Sequence, residues 1–123
     1  MSYKNLEIWQ LSREIIIDIH SMTLNDLPKF EMYELGSQIR RSSESIKANI
    51  VEGYGRRTYK QEFLKHLIYA IGSRDETVDH LETLFEVKSL SDKEKYDKIH
   101  AKLDILGKKL SHFYQGVNIN HKS

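Results

Sequence analysis

Residues 91–117 read SDKEKYDKIHAKLDILGKKLSHFYQGV, and Tyr96, Ile99, Leu103, Leu106, Leu110, Phe113 and Val117 recur there at three and four without a break. An α-helix turns once in 3.6 residues, so this spacing draws one narrow apolar seam down one side of a helix. A seam so narrow fits a bundle, in which each helix meets its neighbours along its length. Ser91 followed by Glu94 has the form of a capping box and sets the expected start.

Three further segments carry the same period. Between about Leu6 and Leu24, the residues Ile8, Leu11, Ile15, Ile19 and Met22 form a stripe that Trp9 and Ile16 widen, as a helix facing two neighbours requires. The Ile15–Ile17 run is strand-like by itself, but the longer period outweighs that local preference. Pro28 in NDLPK breaks the pattern, with Asn25 or Asp26 supplying turn hydrogen bonds. A second helix is expected from about Glu31–Glu34 through Leu35, Ile39, Ile46 and Ile50 toward Gly53, and Gly36, Ser42, Ser43 and Ala48 allow another helix close to it. GYGRR then ends it through a left-handed glycine cap. Thr58 with Gln61 predicts a capping box for a third helix through Phe63, Leu67, Ile71, Val78, Leu81 and Phe85, where Gly72 and Ser73 mark a close contact or a bend. The expectation is all-α: an antiparallel up-down-up-down four-helix bundle in one domain, residues 1–123, with frayed ends at about 1–5 and 118–123.

Composition agrees. With 123 residues, 39% of them apolar and 30% charged, the chain can bury roughly two-thirds of its unfolded surface. Six glycines and one proline favour long elements over a many-turned sheet. The absence of cysteine excludes disulfides, thiolate nucleophiles and Cys-containing metal sites, and makes the cytoplasm the expected compartment. No apolar run approaches the roughly 20 residues needed to cross a bilayer, and MSYKNLEIWQ lacks the apolar centre of a signal peptide.

A net charge of +1 conceals a segregated distribution. Residues 40–60 set Arg40, Arg41, Lys47, Arg56, Arg57 and Lys60 against Glu44 and Glu52, a local excess of +4. Residues 74–87 set Arg74 against five carboxylates, and residues 98–123 return to +4. Such blocks create signed surfaces, which attract either polyanions or one another.

LEIWQLSREI, then YELGSQIRRSSESIKANIVEGYGRRTYKQEF, then LIYAIGSRDETVDHLE together resemble the bacterial 23S rRNA intervening-sequence protein family, over about Leu6 to Gly116. Trp9, Gln38, Arg40, Arg41, Asn49, Glu52, Gly53 and Arg57 fit its ordered pattern. The resemblance implies a small four-helix bundle, commonly encoded within an insertion in a ribosomal RNA gene. The chain is more remotely similar to accessory proteins of diversity-generating retroelements, which implies a homo-oligomer, a homopentamer by that likeness, and a basic surface toward nucleic acid. Two departures stand out: Val51 where alanine is common, and Arg74–Asp75 where an apolar or small residue usually precedes an acid.

Asn49, Glu52 and Arg56 share one helical face. One reading makes Asn49 and Glu52 structural, Glu52 accepting from Arg40, Arg41 or another helix and Asn49 tying down a helix end; the other gives them a direct functional contact. The nucleic-acid-binding candidates are Arg40, Arg41, Arg56, Arg57 and Lys60, with Lys108 and Lys109 as a second basic area, and Tyr54 or Tyr59 able to stack on a base. The rival use of this corner is a protein contact without nucleic acid.

Enzymatic readings find little. Glu62/His66 and Glu76/His80 are spaced by four, yet no repeated Glu-x-x-His pair accompanies four inward carboxylates, so no metal site and no cofactor are expected. Ser42, Ser43 and Ser45 lack a nucleophile elbow, and there is no phosphate-cradling glycine loop. No catalytic residue is assigned. The expectation is a non-enzymatic homo-oligomeric protein, binding structured RNA or DNA through basic patches, with no membrane partner.

Overall fold

The computed structural model describes residues 2–121. After a 3-10 turn at Tyr3–Asn5 come α1 (Glu7–Asn25), a second 3-10 turn (Lys29–Tyr33), α2 (Leu35–Gly55), α3 (Lys60–Glu86) and α4 (Lys93–Asn120). The described residues contain no strand. Each helix packs on two others, α1 on α2 and α4, and α3 on α2 and α4, which closes a four-sided ring.

Cross-helix pairs fix the directions. Along α1 and α4, Lys109 meets Glu7, Lys102 meets Asp18, and Lys95 meets Asp26, so one helix ascends as the other descends. Asn49–His66, Ser45–Ser73 and Ser42–Thr77 show the same reversal between α2 and α3, and Phe63–Phe113 and Phe85–Tyr96 between α3 and α4. His20–Glu44 and Lys47 over the Trp9 ring orient α2 against α1. The bundle is antiparallel, up-down-up-down.

The apolar periods supply the core. Ile15, Ile19 and Met22 of α1, Ile39, Ile46 and Ile50 of α2, Leu67, Leu81 and Leu84 of α3, and Ile99, Leu103, Leu106 and Leu110 of α4 are all buried together. The α2–α3 contact is unusually close. A β-carbon on Gly53 would lie 3.0 Å from the His66 β-carbon, and Ser42 and Thr77 are buried between the helices. Small residues here admit the neighbouring helix. Gly72 faces open space, and its neighbour Ser73 makes the contact, through Ser45 Oγ at 2.9 Å.

The helix ends differ from the sequence expectation in several places. Thr58 does not cap α3: the capping position is Tyr59, without a side-chain bond. Asp92, and not Ser91, caps α4, accepting from the Lys95 amide at 3.1 Å. Aspartate and serine both suit an N-cap, and here the helix starts one residue later, at the aspartate. α2 ends without a left-handed glycine; Gly53 and Gly55 are helical, and the Arg56 and Arg57 amides bond back to Gly53 O and Tyr54 O. The described residue with positive φ is Lys88, at 67°, just after α3. Leu90 N there bonds to Leu84 O at 3.0 Å, folding the fully buried Leu90 side chain under the helix end. Of the ends expected to fray, Tyr3–Asn5 form a turn and residues 118–120 continue α4, while Met1 and residues 122–123 lie outside the described residues.

One buried carboxylate ties two loops together. Glu31 is only 3% exposed. Its Oε1 accepts from the Leu35 amide at 3.3 Å, at the start of α2, and its Oε2 accepts from Ser89 Oγ at 2.6 Å, between α3 and α4. Gly36 beside it is necessary, since a β-carbon there would sit 2.3 Å from Glu31 O.

Candidate nucleic-acid interface

The α2–α3 corner begins where the backbone tightens: Arg56 N bonds to Gly53 O, Arg57 N to Tyr54 O, and Tyr59 N to Arg56 O. This turn throws both arginines outward. Arg56 stands between Glu52 and Glu62, its guanidinium 3.4 and 3.3 Å from their carboxylates. Glu52 therefore pairs with Arg56, not with Arg40 or Arg41. The half-exposed geometry leaves such a pair screened and weak, so the arginine remains available to a stronger anion.

Arg57 lies over the Tyr54 ring, 4.2 Å from guanidinium carbon to ring centroid, and donates to Tyr54 O at 2.9 Å. Tyr54 thus orients an arginine, and Tyr59 next to it is exposed. His121 Nε2 reaches Arg57 O at 2.7 Å, bringing the end of α4 against the corner. Lys60 has no ion-pair partner among the described residues. Lys65 bonds to Glu62 at 3.0 Å and holds that carboxyl below its ordinary value of 4.5, chiefly through the hydrogen bond.

The second basic area splits. Lys109 is paired with Glu7 at 2.7 Å, and that hydrogen bond holds the Glu7 carboxyl below its ordinary value. Lys108 is exposed and without an ion-pair partner among the described residues.

Arg40 and Arg41 belong elsewhere. Fifteen residues separate Arg41 from Arg56 along one helix, about 22 Å at 1.5 Å per residue. Arg40 folds inward, donating to Met32 O at 2.6 Å, while its Nη1 is buried without a partner. Arg41 is exposed beside Gln38, Glu76 and His80 in a groove of 390 Å³. The sequence grouping of Arg40 and Arg41 with the corner is therefore replaced by two locations. Asn49 is part-buried at the interface: it donates to Ser45 O at 2.9 Å, and its Oδ1 accepts from His66 Nδ1 at 3.2 Å. It joins two helices and does not tie down a helix end.

The antiparallel order converts sequence blocks into a lengthwise polarity that the sequence blocks alone do not show. In the half formed by residues 2–15, 47–73 and 106–121, nine Lys and Arg face four Asp and Glu, a net +5. In the half formed by residues 16–46 and 74–105, nine face fourteen, a net −5. Arg56, Arg57, Lys60, Lys108 and Lys109 fall in the basic half, and Arg40 and Arg41 in the acidic one. Knowing which helix ends meet is the missing signal; Lys4, Arg13, Lys47 and Lys65 join the basic half only once the chain is folded.

Among the described residues no three His, Asp or Glu side chains converge to hold a metal ion. None of the described helices is long and apolar enough to cross a membrane.

Comparison with known proteins places this arrangement. A crystal structure of a protein of unknown function from the S23 ribosomal protein family of Bacteroides thetaiotaomicron VPI-5482 matches 88% of this chain and 95% of its own, with a TM-score of 0.76 and 24% identity. At that identity the likeness concerns the fold. No curated protein matches. The model of the 23S rRNA-intervening sequence protein family matches residues 4–112, from the first turn through most of α4. With α1, α2, α3 and most of α4 inside that match, the chain belongs to the 23S rRNA-intervening sequence protein family.

Proposed function

We propose that this protein is a non-enzymatic, cytoplasmic homo-oligomer that binds structured RNA or DNA through the basic half of its bundle. The observation that carries the reading is the net +5 gathered at one half, with Lys60 and Lys108 lacking ion-pair partners among the described residues and Arg56 and Arg57 held outward. Phosphates are met by such cations without sequence readout, and binding of this kind falls steeply with salt. Repeated copies raise the effective concentration of a weak patch. The family's name attaches it to ribosomal RNA genes, which makes structured RNA the first ligand to try. The copy number of five is an implication of the resemblance alone.

A second reading, an assembly module without nucleic acid, is favoured by the carboxylate partners already on Arg56 and Lys109. Binding measured across salt separates the two. Replacing Arg56, Arg57 and Lys60 by glutamine should weaken a duplex RNA probe by about tenfold or more and reduce the log–log salt slope by roughly 2–3, with molecular mass unchanged. Absence of binding by the unmodified protein at low salt overturns the nucleic-acid reading.

A further inference from the structure

An aromatic row leads from the basic corner to a cleft beside α4. The Arg57 guanidinium lies over the Tyr54 ring, Tyr54 meets Phe63 edge to face with centroids 6.5 Å apart, and Phe63 meets Phe113 in the same way at 5.9 Å. At the end of this row a cleft of 430 Å³ opens over Phe63, Phe113 and Val117, lined as well by His112, Asn120 and His121. His121 also reaches Arg57 O at 2.7 Å, so the cleft adjoins the corner.

The cleft is lined by no Lys, Arg, Asp or Glu. A charged group gains nothing inside it, whereas a flat neutral one can bury its faces against aromatic carbon and turn its polar edges to the side chains around it. His112 and Asn120 are exposed and make no hydrogen bond among the described residues, which leaves their donors and acceptors for a ligand. Gly116 lines the same cleft. A β-carbon there would meet nothing within 4 Å, so no packing inside the chain calls for a glycine that the helix itself disfavours. Bare backbone at a cleft wall admits the close approach of a ligand. Apart from Phe63 and His112, the lining comes from the last turns of α4 and its cap, beyond the family match that ends at residue 112.

We infer that this cleft takes one unpaired nucleobase of a bound strand, stacked beside Phe113 and against the Gly116 backbone, while Arg56 and Arg57 hold the neighbouring phosphates. Stacking on aromatic carbon tolerates any base, and His112 and Asn120 supply donors and acceptors to its edge. A fully paired duplex keeps its bases stacked inward and offers the cleft nothing, so the protein favours looped or single-stranded nucleic acid over duplex. The inference rests on the nucleic-acid reading of the basic half and adds what cations alone do not supply, a means of telling unpaired bases from paired ones.

Two RNA hairpins with the same stem test it, one with a loop of ordinary nucleotides and one whose loop is abasic, so that both present the same phosphates. Fluorescence anisotropy at low salt should show the unmodified protein binding the abasic hairpin about tenfold more weakly. Gly116→Leu fills the cleft from a position open to solvent, and should abolish that difference with the circular dichroism spectrum unchanged. His112→Ala/Asn120→Ala, at two exposed positions, should reduce the difference, and carries the test if Gly116→Leu alters the spectrum. Equal binding of the two hairpins by the unmodified protein, or a difference that folded variants keep in full, overturns the base site while leaving phosphate binding at the corner standing. Absence of binding to either hairpin overturns both readings.

Discussion

The seam between α1 and α4 and the seam between α2 and α3 are built from different chemistry. Along α1 and α4, Lys109–Glu7, Lys102–Asp18 and Lys95–Asp26 form a ladder, each at 2.7 Å, near the solvent edge. Along α2 and α3, Ser42–Thr77, Ser45–Ser73 and Asn49–His66 lie part-buried or buried beside the close approach at Gly53. Charges act over distance and fix register, but water and salt weaken them. Small side chains and hydroxyls act only at contact, where a lost partner or an added methyl is felt in full. The stretch that looks most like chemistry in the sequence is thus the stretch that packs tightest.

Substitutions can reverse that ranking. The largest effect is expected from Gly53→Val, whose side chain would press on His66 and Phe63; overpacking of this sort costs about 2–3 kcal/mol, read from the urea midpoint. A neutral result there would mean the helices can part without loss. Next comes Thr77→Val, of nearly the same shape but without the hydroxyl that lies 2.8 Å from both Ser42 Oγ and Ser73 O. Its cost should be about 1–1.5 kcal/mol, with the largest change in amide protection around residues 42 and 73.

Lys102→Met on the other seam should cost least, about 0.5–1 kcal/mol near neutral pH. The hydrogen bond to Asp18 holds the Lys102 ammonium above its ordinary value of 10.5. Because the folded-state pKa is the higher one, the contribution is complete below 10.5 and disappears as pH rises through the raised value. Thermal melts of the two proteins should converge in that alkaline window; a gap that persists there would assign the effect to packing of the lysine stem. If Lys102→Met proves costlier than either α2–α3 change, the ladder and not the close seam holds the bundle.

Much of the fold was legible because it depends on period. Ile99, Leu103, Leu106 and Leu110 are buried as the opening stretch of sequence requires. Caps were less legible, since Ser91 and Asp92 both suit the chemistry and the local path of the chain decides between them. In the site, Arg56 and Arg57 share a corner as neighbours must, but Arg40 turns inward to Met32 O, a choice made by the loop and not by the helix it sits on. Glu31 was not legible at all: a lone glutamate near a proline reads as solvated, and its partner Ser89 is 58 residues away.

That last bond has a consequence for how the molecule opens. Glu31 and Ser89 close the α2–α3 hairpin into a loop, and parting its two ends within the fold would leave a buried carboxylate and hydroxyl unpaired. The bond thus couples the first connection to the third. At the opposite end, the exposed His121–Arg57 contact can break while the helices beneath it stay closed.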